Sequence, residues 1–200
     1  MNIYCITHKP INSLRHLNLI PFGVGQNSFP DDYVIENSGE NISYKNKNYS
    51  ETSFHYWYWK NHLEKNTNNE WFGMCQYRRY FVKSKYKNLI NNLNGYQGFY
   101  PHIDKISELN EMLQTEPSNE WSNYDVILCE PWSVNVKSKM KLIKRGFKSL
   151  LHDPSILFNK KKQNIKLHFE MFHGYDNLTK AINVMPEKDK KDFLDYISKN

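Results

Sequence analysis

Residues 2–7, Asn-Ile-Tyr-Cys-Ile-Thr, form a short run rich in β-branched and aromatic side chains that stops at His8-Lys9-Pro10. A run of this length and type predicts a buried strand with a polar, cationic loop at its carboxyl end; proline cannot extend the ladder. The pattern recurs twice. Trp71-Phe72-Gly73-Met74-Cys75-Gln76-Tyr77 precedes Arg78-Arg79-Tyr80-Phe81, and Tyr124-Asp125-Val126-Ile127-Leu128-Cys129 precedes Glu130-Pro131. A fourth, shorter strand is expected over Leu19 to Val24, interrupted by Pro21 and closed by Gly25. In open α/β sheets ligands bind beyond the carboxyl ends of strands. His8-Lys9, Arg78-Arg79 and Glu130 are therefore expected to converge on one crevice.

The intervening segments supply helices. From residue 50 to 65, Phe54, Trp57, Tyr58 and Asn61 recur at helical spacing, and Glu51 falls in the first turn, where an acid complements the helix dipole. A second helix is expected from Asp104 to Gln114. Residues 26–49 are turn-rich, with NSFPDD, ENSGEN and KNKN in succession. Beyond 131 the pattern is helical: Lys137 to Leu151, with Met140, Ile143, Phe147 and Leu150 on one side, then Asn164–His173, Asp176–Val184 and Pro186–Ser198. Strands alternating with helices predict an α/β domain with a mixed sheet over 1–135, and a helical C-terminal part over 136–200 packed on it as one compact domain.

Several classes are disfavoured. Aromatic residues make up 15% of the chain, which argues against disorder. No run of 18 apolar residues marks a membrane span, and the amino terminus lacks the basic-then-apolar pattern of a secretory signal, so a soluble, cytoplasmic protein is expected. Cys5, Cys75 and Cys129 sit in apolar runs with no CxxC spacing, and are expected to be buried hydrophobes rather than a disulfide or zinc framework. The eight histidines show neither HxH nor HExxH spacing.

Lys and Arg number 27 against 21 acids, an excess that favours anionic partners without choosing among them. Arg78-Arg79 is the clearest clue. Guanidinium forks grip phosphate oxygens bidentately and keep their charge; the competing reading is a pair of surface arginines lying over Tyr77, Tyr80 and Phe81. The Phe54-Trp57-Tyr58 stripe reads as core before it reads as a sugar platform. The basic segment 137–151 is either a solvated helix face or a peripheral contact with an anionic inner-membrane surface. RNA binding is the least supported alternative, since no RNP-like or KH-like motif is present.

Taken together, Thr7-His8-Lys9-Pro10, Gly39-Glu40-Asn41-Ile42-Ser43-Tyr44-Lys45-Asn46, Tyr49-Ser50-Glu51-Thr52, Tyr56-Trp57-Tyr58-Trp59-Lys60-Asn61 and Gly73-Met74-Cys75-Gln76-Tyr77-Arg78-Arg79-Tyr80-Phe81 resemble, in order and over most of the chain, a bacterial family of capsular-polysaccharide and O-antigen glycosyltransferases formerly catalogued as a domain of unknown function. Weaker likenesses lie at Tyr124–Leu128 and His173–Leu178. The resemblance implies a GT-A-like, Rossmann-like fold and transfer of a sugar from a nucleotide-diphosphate donor, with some relatives acting on galactofuranose, to a polysaccharide or lipid-linked acceptor. It implies that His8 and Lys9 contact the nucleotide, that Asn41, Lys45 and Asn46 shape the donor loop, and that Gln76 and Tyr77 line the donor site. Glu51, Glu40 and Glu130 are candidate bases. GT-A enzymes generally end the equivalent strand in an Asp-x-Asp motif that holds a divalent metal. Here the strand ends in Arg78-Arg79, so guanidinium charge is expected to replace the metal and no cofactor is indicated. Two departures point to the alternative of an inactive or shortened binder of nucleotide-sugar: Gln76 stands where the family has histidine, and relatives continue past the position of Asn200 into a further segment.

Overall fold

The computed structural model describes residues 1–65, 70–86, 105–129 and 139–199. They fall into two compact units, Met1–Glu130 and Pro131–Asn200.

The first unit is built on Asn2–Thr7 (β1), Ile20–Gly23 (β2), Val34–Ile35 (β3) and Phe72–Gln76 (β4), in the order β3-β2-β1-β4. β1 lies at the centre, with Thr7 beside Gly23 on one flank and Ile6 beside Gln76 on the other. Burial of both faces explains why its middle, Ile3–Ile6, is an unbroken apolar run. The three strand pairings among the described residues are parallel, the isolated bridges Gln76–Arg79 and Val82–Leu113 being antiparallel, so the mixed sheet expected from the sequence is corrected to a parallel four-stranded one. Together with its flanking helices this is a Rossmann-like arrangement.

Each face of the sheet is covered. Asn46–Tyr49 (α1) leads into Thr52–Asn61 (α2), whose Phe54, Trp57 and Tyr58 stack on Ile6, Phe22 and Val24. Their rings interlock, with Phe54 edge-on to Phe22 at 4.7 Å and 77°. These side chains, spaced i, i+3 and i+4, form one helix stripe, so the core reading of the stripe holds. On the opposite face Ile3, Cys5 and Cys75 pack with Leu14, Leu17, Tyr33 and Leu113, the last just beyond Ile106–Met112 (α3). Cys5 and Cys75 lie side by side in register. A hydrogen bond with Cys75, followed by burial, pushes the Cys5 thiol up, away from the reactive thiolate.

Two expectations fail in this unit. Tyr124–Cys129 is not a strand: it is irregular and joins no sheet among the described residues, with Val126 65% and Leu128 79% exposed, and Cys129 is exposed rather than buried. β-propensity measures fit to a half-buried pleated surface and supplies no edge to pair with. Glu130, at its end, lies outside the described residues. The helix expected from 50 to 65 is shorter. It starts after Glu51, which occupies the position before the first helical residue, and is followed by a 3-10 turn, Leu63–Lys65.

The second unit is helical: Lys139–Arg145 (α4), Phe147–His152 (α5), Ile165–His173 (α6), Asn177–Asn183 (α7) and Glu187–Lys199 (α8). The single helix expected over 137–151 is broken at Gly146, and residues 137–138 lie outside the described residues. A Cβ on Gly146 would stand 2.8 Å from the Leu142 carbonyl oxygen and 3.4 Å from Met171 of α6, a close approach that glycine permits. The expected apolar side is also corrected. Of Met140, Ile143, Phe147 and Leu150 only Leu150 is buried, and Leu142 joins it in a core with Ile156, Leu167 and Met171. Asn164 caps α6, its side-chain oxygen accepting from the Leu167 N–H at 3.1 Å.

Candidate functional site

After β1 the chain moves to β2 and β3 on one side, then crosses to β4 on the other, so the order reverses between β1 and β4. At the carboxyl ends of those two strands stand Thr7-His8-Lys9 and Gln76-Tyr77-Arg78-Arg79. This is the switch point at which open parallel sheets bind ligands.

Both loops are fastened by short local bonds. Thr7 Oγ1 donates to the Lys9 carbonyl at 2.6 Å and accepts the Lys9 N–H at 3.2 Å. Asn27 Nδ2 donates to the His8 carbonyl at 2.6 Å, and the Tyr33 hydroxyl brackets Ile11, accepting from its N–H and donating to its carbonyl. Across the sheet, the Tyr77 N–H donates to Ile6 O at 3.2 Å, the Arg79 N–H turns back to Gln76 O at 2.9 Å, and the Tyr80 hydroxyl donates to Tyr77 O at 2.6 Å.

Basic side chains gather on the Tyr77 ring. His8 meets it edge-on at 5.6 Å, Lys9 Nζ lies 5.9 Å from its centroid and Arg78 Cζ lies 5.0 Å from it. Cation–π contacts of this kind are worth about 0.5–1 kcal/mol at exposed sites, enough to orient the side chains without neutralising them. Among the described residues neither Lys9 nor Arg78 forms an ion pair. The nearby acid is Glu51. Burial works to raise its carboxyl, but hydrogen bonds from the Ser50 hydroxyl (2.6 Å) and a backbone N–H, with the charges of His8 and Arg78, hold it below the ordinary carboxylate value. Glu51 is therefore an anion facing His8 and the Arg78 guanidinium.

Glu51 is placed by a lock between α1, α2 and the sheet. Asn46 Nδ2 donates to Ser50 O and to Ser53 Oγ, both at 2.8 Å, and the Ser53 hydroxyl donates to Ser50 O at 2.8 Å. Ser50 itself holds φ +50°, a region that favours glycine. Gly25, at φ +85°, follows β2 so closely under Asn46 that a Cβ would stand 3.1 Å from Asn46 Oδ1. The Gly25 N–H donates to Glu36 Oε1 at 2.6 Å. Glu36, directly after β3, is completely buried and its Oε2 has no hydrogen-bond partner. Burial pushes its carboxyl above the ordinary value, against the opposing pull of the Gly25 N–H and the Ser53 hydroxyl.

The site thus brings together His8, Lys9, Tyr77, Arg78 and Glu51. Asn46 locks the loop that carries Glu51, and Gln76 pairs with Ile6 at the foot of the arginine turn. Arg79 is exposed on that turn. Asn41 lies elsewhere: its side chain closes its own turn, donating to Gly39 O at 3.1 Å and accepting from Ser43. Glu40 sits beside the far end of α2, held by Asn61, the Tyr56 hydroxyl and Lys60 at 3.7 Å. That end is about 15 Å from Glu51 at 1.5 Å rise per residue. Lys45 precedes α1 and lies exposed over Tyr44 at 5.4 Å. Glu36 was missed in the sequence, although Tyr33-Val34-Ile35-Glu36 repeats in miniature the pattern of an apolar run ending in a polar residue. Among the described residues no group of three or more His, Cys, Asp or Glu is gathered to hold a metal, and no helix is long and apolar enough to cross a membrane.

The chain belongs to the family described as Domain of unknown function (DUF4422), which matches residues 2–199. It matches no curated protein and no solved structure.

Proposed function

We propose that this chain binds a nucleotide-diphosphate sugar at the carboxyl edge of its parallel sheet and transfers the sugar to a polysaccharide or lipid-linked acceptor, as a GT-A-like transferase of the cytoplasmic side. The motif resemblance supplies the reaction class. The observation that carries the reading is the cluster of His8, Lys9 and Arg78 around Tyr77 at the β1/β4 switch, where among the described residues neither Lys9 nor Arg78 forms an ion pair. A diphosphate carries the opposite charge and accepts bidentate hydrogen bonds.

In this reading Lys9, Arg78 and Arg79 hold the diphosphate. As the bond from the sugar's anomeric carbon to the diphosphate oxygen breaks, its electron pair passes to that oxygen, and the guanidinium charge stabilises the developing anion. The acceptor hydroxyl forms the new bond to the anomeric carbon and gives up its proton to a carboxylate. In this reading Glu51 receives it. Its low proton affinity in the free protein makes it a weak base, but a bound diphosphate offsets the pull of His8 and Arg78 and raises its basicity. Gln76 offers an amide that both donates and accepts.

The test is a thermal-shift screen of UDP-, GDP-, CMP- and dTDP-sugars, followed by transfer assays with and without chelator. Saturable stabilisation by one donor, weakened at least tenfold in Arg78→Ala, is the expected result, with transfer that survives chelation. Strict dependence on added Mn²⁺ or Mg²⁺ rejects the guanidinium role, and absence of donor binding rejects the site. The lowered proton affinity of Glu51 favours a second reading, a binder without transfer; donor binding with neither transfer nor donor hydrolysis identifies it.

A further inference from the structure

Charge is divided unevenly along this chain. Residues 131–200 hold fifteen Lys and Arg against seven Asp and Glu, whereas residues 1–130 hold twelve against fourteen. The excess of eight positive charges therefore belongs to the helical unit. On that unit Met140, Ile143, Phe147 and Leu151 are 75%, 44%, 56% and 66% exposed. Their spacing of three, four and four residues places them on one stripe. Gly146 joins the two helices, its N–H donating to Leu142 O at 2.7 Å and its carbonyl accepting the Leu150 N–H at 2.9 Å. Leu142, Gly146, Ser149 and Leu150 are the residues of this stretch that face the core. Beside the ridge lie Lys144 and Lys148, and Arg145 and Lys141 lie over the half-exposed Phe172 at 4.7 and 5.4 Å.

We propose that this ridge seats the helical unit on an anionic lipid bilayer, with Met140, Ile143, Phe147 and Leu151 in the boundary between headgroups and acyl chains and Lys141, Lys144, Arg145 and Lys148 among the lipid phosphates. An exposed apolar stripe flanked by cations matches what such a surface offers: apolar depth beneath a layer of negative charge. A second copy of the chain would bring the same positive excess against itself. A nucleic acid would satisfy the charge, but the aliphatic Met140, Ile143 and Leu151 give bases nothing to stack on. The inference stands apart from the transferase reading.

The test is co-sedimentation of the full chain with phosphatidylcholine vesicles and with vesicles containing about one-third phosphatidylglycerol, at low and high salt. Binding is expected to the anionic vesicles only, and to weaken with salt. Each cation near the surface is worth about fivefold in affinity, so Lys144→Gln with Lys148→Gln should lose about 25-fold. Phe147→Ser with Leu151→Ser should lose at least about tenfold while circular dichroism and melting stay unchanged, because both side chains are exposed. Four results overturn the proposal: equal binding to neutral vesicles, no vesicle binding, unaltered binding by the Ser variant, or tighter capture of a single-stranded oligonucleotide than of anionic vesicles.

Discussion

Replacing Glu36 by glutamine should change how stability depends on pH. The Glu36 side chain is fully buried, its Oε1 takes the Gly25 N–H at 2.6 Å, and its Oε2 is unpartnered. An unsatisfied buried polar atom costs about 1–3 kcal/mol. The amide of Glu36→Gln keeps the acceptor for Gly25 and places an NH₂ where Oε2 stood, so that cost is similar in both proteins and largely cancels. What remains is titration. Burial raises the carboxyl's pKa in the fold above its ordinary value of 4.5, so between those two values the native state holds a proton that the unfolded chain has released. Stability from this group is therefore complete below pH 4.5 and is lost as pH climbs to the raised value, by at most about 1.4 kcal/mol per pH unit. Glutamine does not titrate. The stability of Glu36→Gln relative to the parent should rise with pH through that window and then level off. Urea unfolding at steps from about pH 4 to about pH 8, followed by near-ultraviolet circular dichroism of the aromatic cluster of the first unit, reads the difference directly. A difference that is flat, or that falls with pH, would refute the reasoning by showing that the buried carboxylate is stabilised rather than penalised.

Other substitutions report on the rest of the architecture. Phe54→Ala removes a completely buried ring that contacts Tyr4, Phe22, Trp57 and Tyr58, and should cost about 3–5 kcal/mol in chemical denaturation; a loss under about 1 kcal/mol would mean the aromatic layer is not packed as described. Gly146→Ala drives a methyl to 2.8 Å from the Leu142 carbonyl and should destabilise by about 1–3 kcal/mol, where an ordinary helix glycine would gain from alanine. Ser50→Gly relieves the backbone at φ +50° but deletes the hydroxyl bonded to Glu51. The Glu51 carboxyl should then titrate at higher pH by NMR, and an unchanged titration would show that Ser50 does not hold its charge.

The elements that could be read from the residues are those whose local pattern admits one arrangement. β1 is apolar from Ile3 to Ile6 and is followed by a proline; α2 puts Phe54, Trp57 and Tyr58 on one stripe; Asn164 announces α6 with a side-chain cap; and Arg78-Arg79 follows an apolar strand, so its place at a strand's carboxyl end was legible. The clustering of His8, Lys9 and Arg78 on Tyr77 was implied only as a convergence of strand ends.

Elsewhere the residues admit more than one arrangement. Tyr124–Cys129 has the composition of a strand, but pairing needs a partner edge, which no local preference can provide. The segment 139–151 carries apolar residues on both sides, so periodicity alone leaves its orientation open; packing against Leu167 and Met171 selected Leu142 for the core and left Met140 and Phe147 outside. Asn41 went to the far end of α2 because Asn61 anchors the preceding turn. Burial of an acid such as Glu36 is decided only when β2, β3 and α2 close over it, since desolvation depends on neighbours distant in sequence.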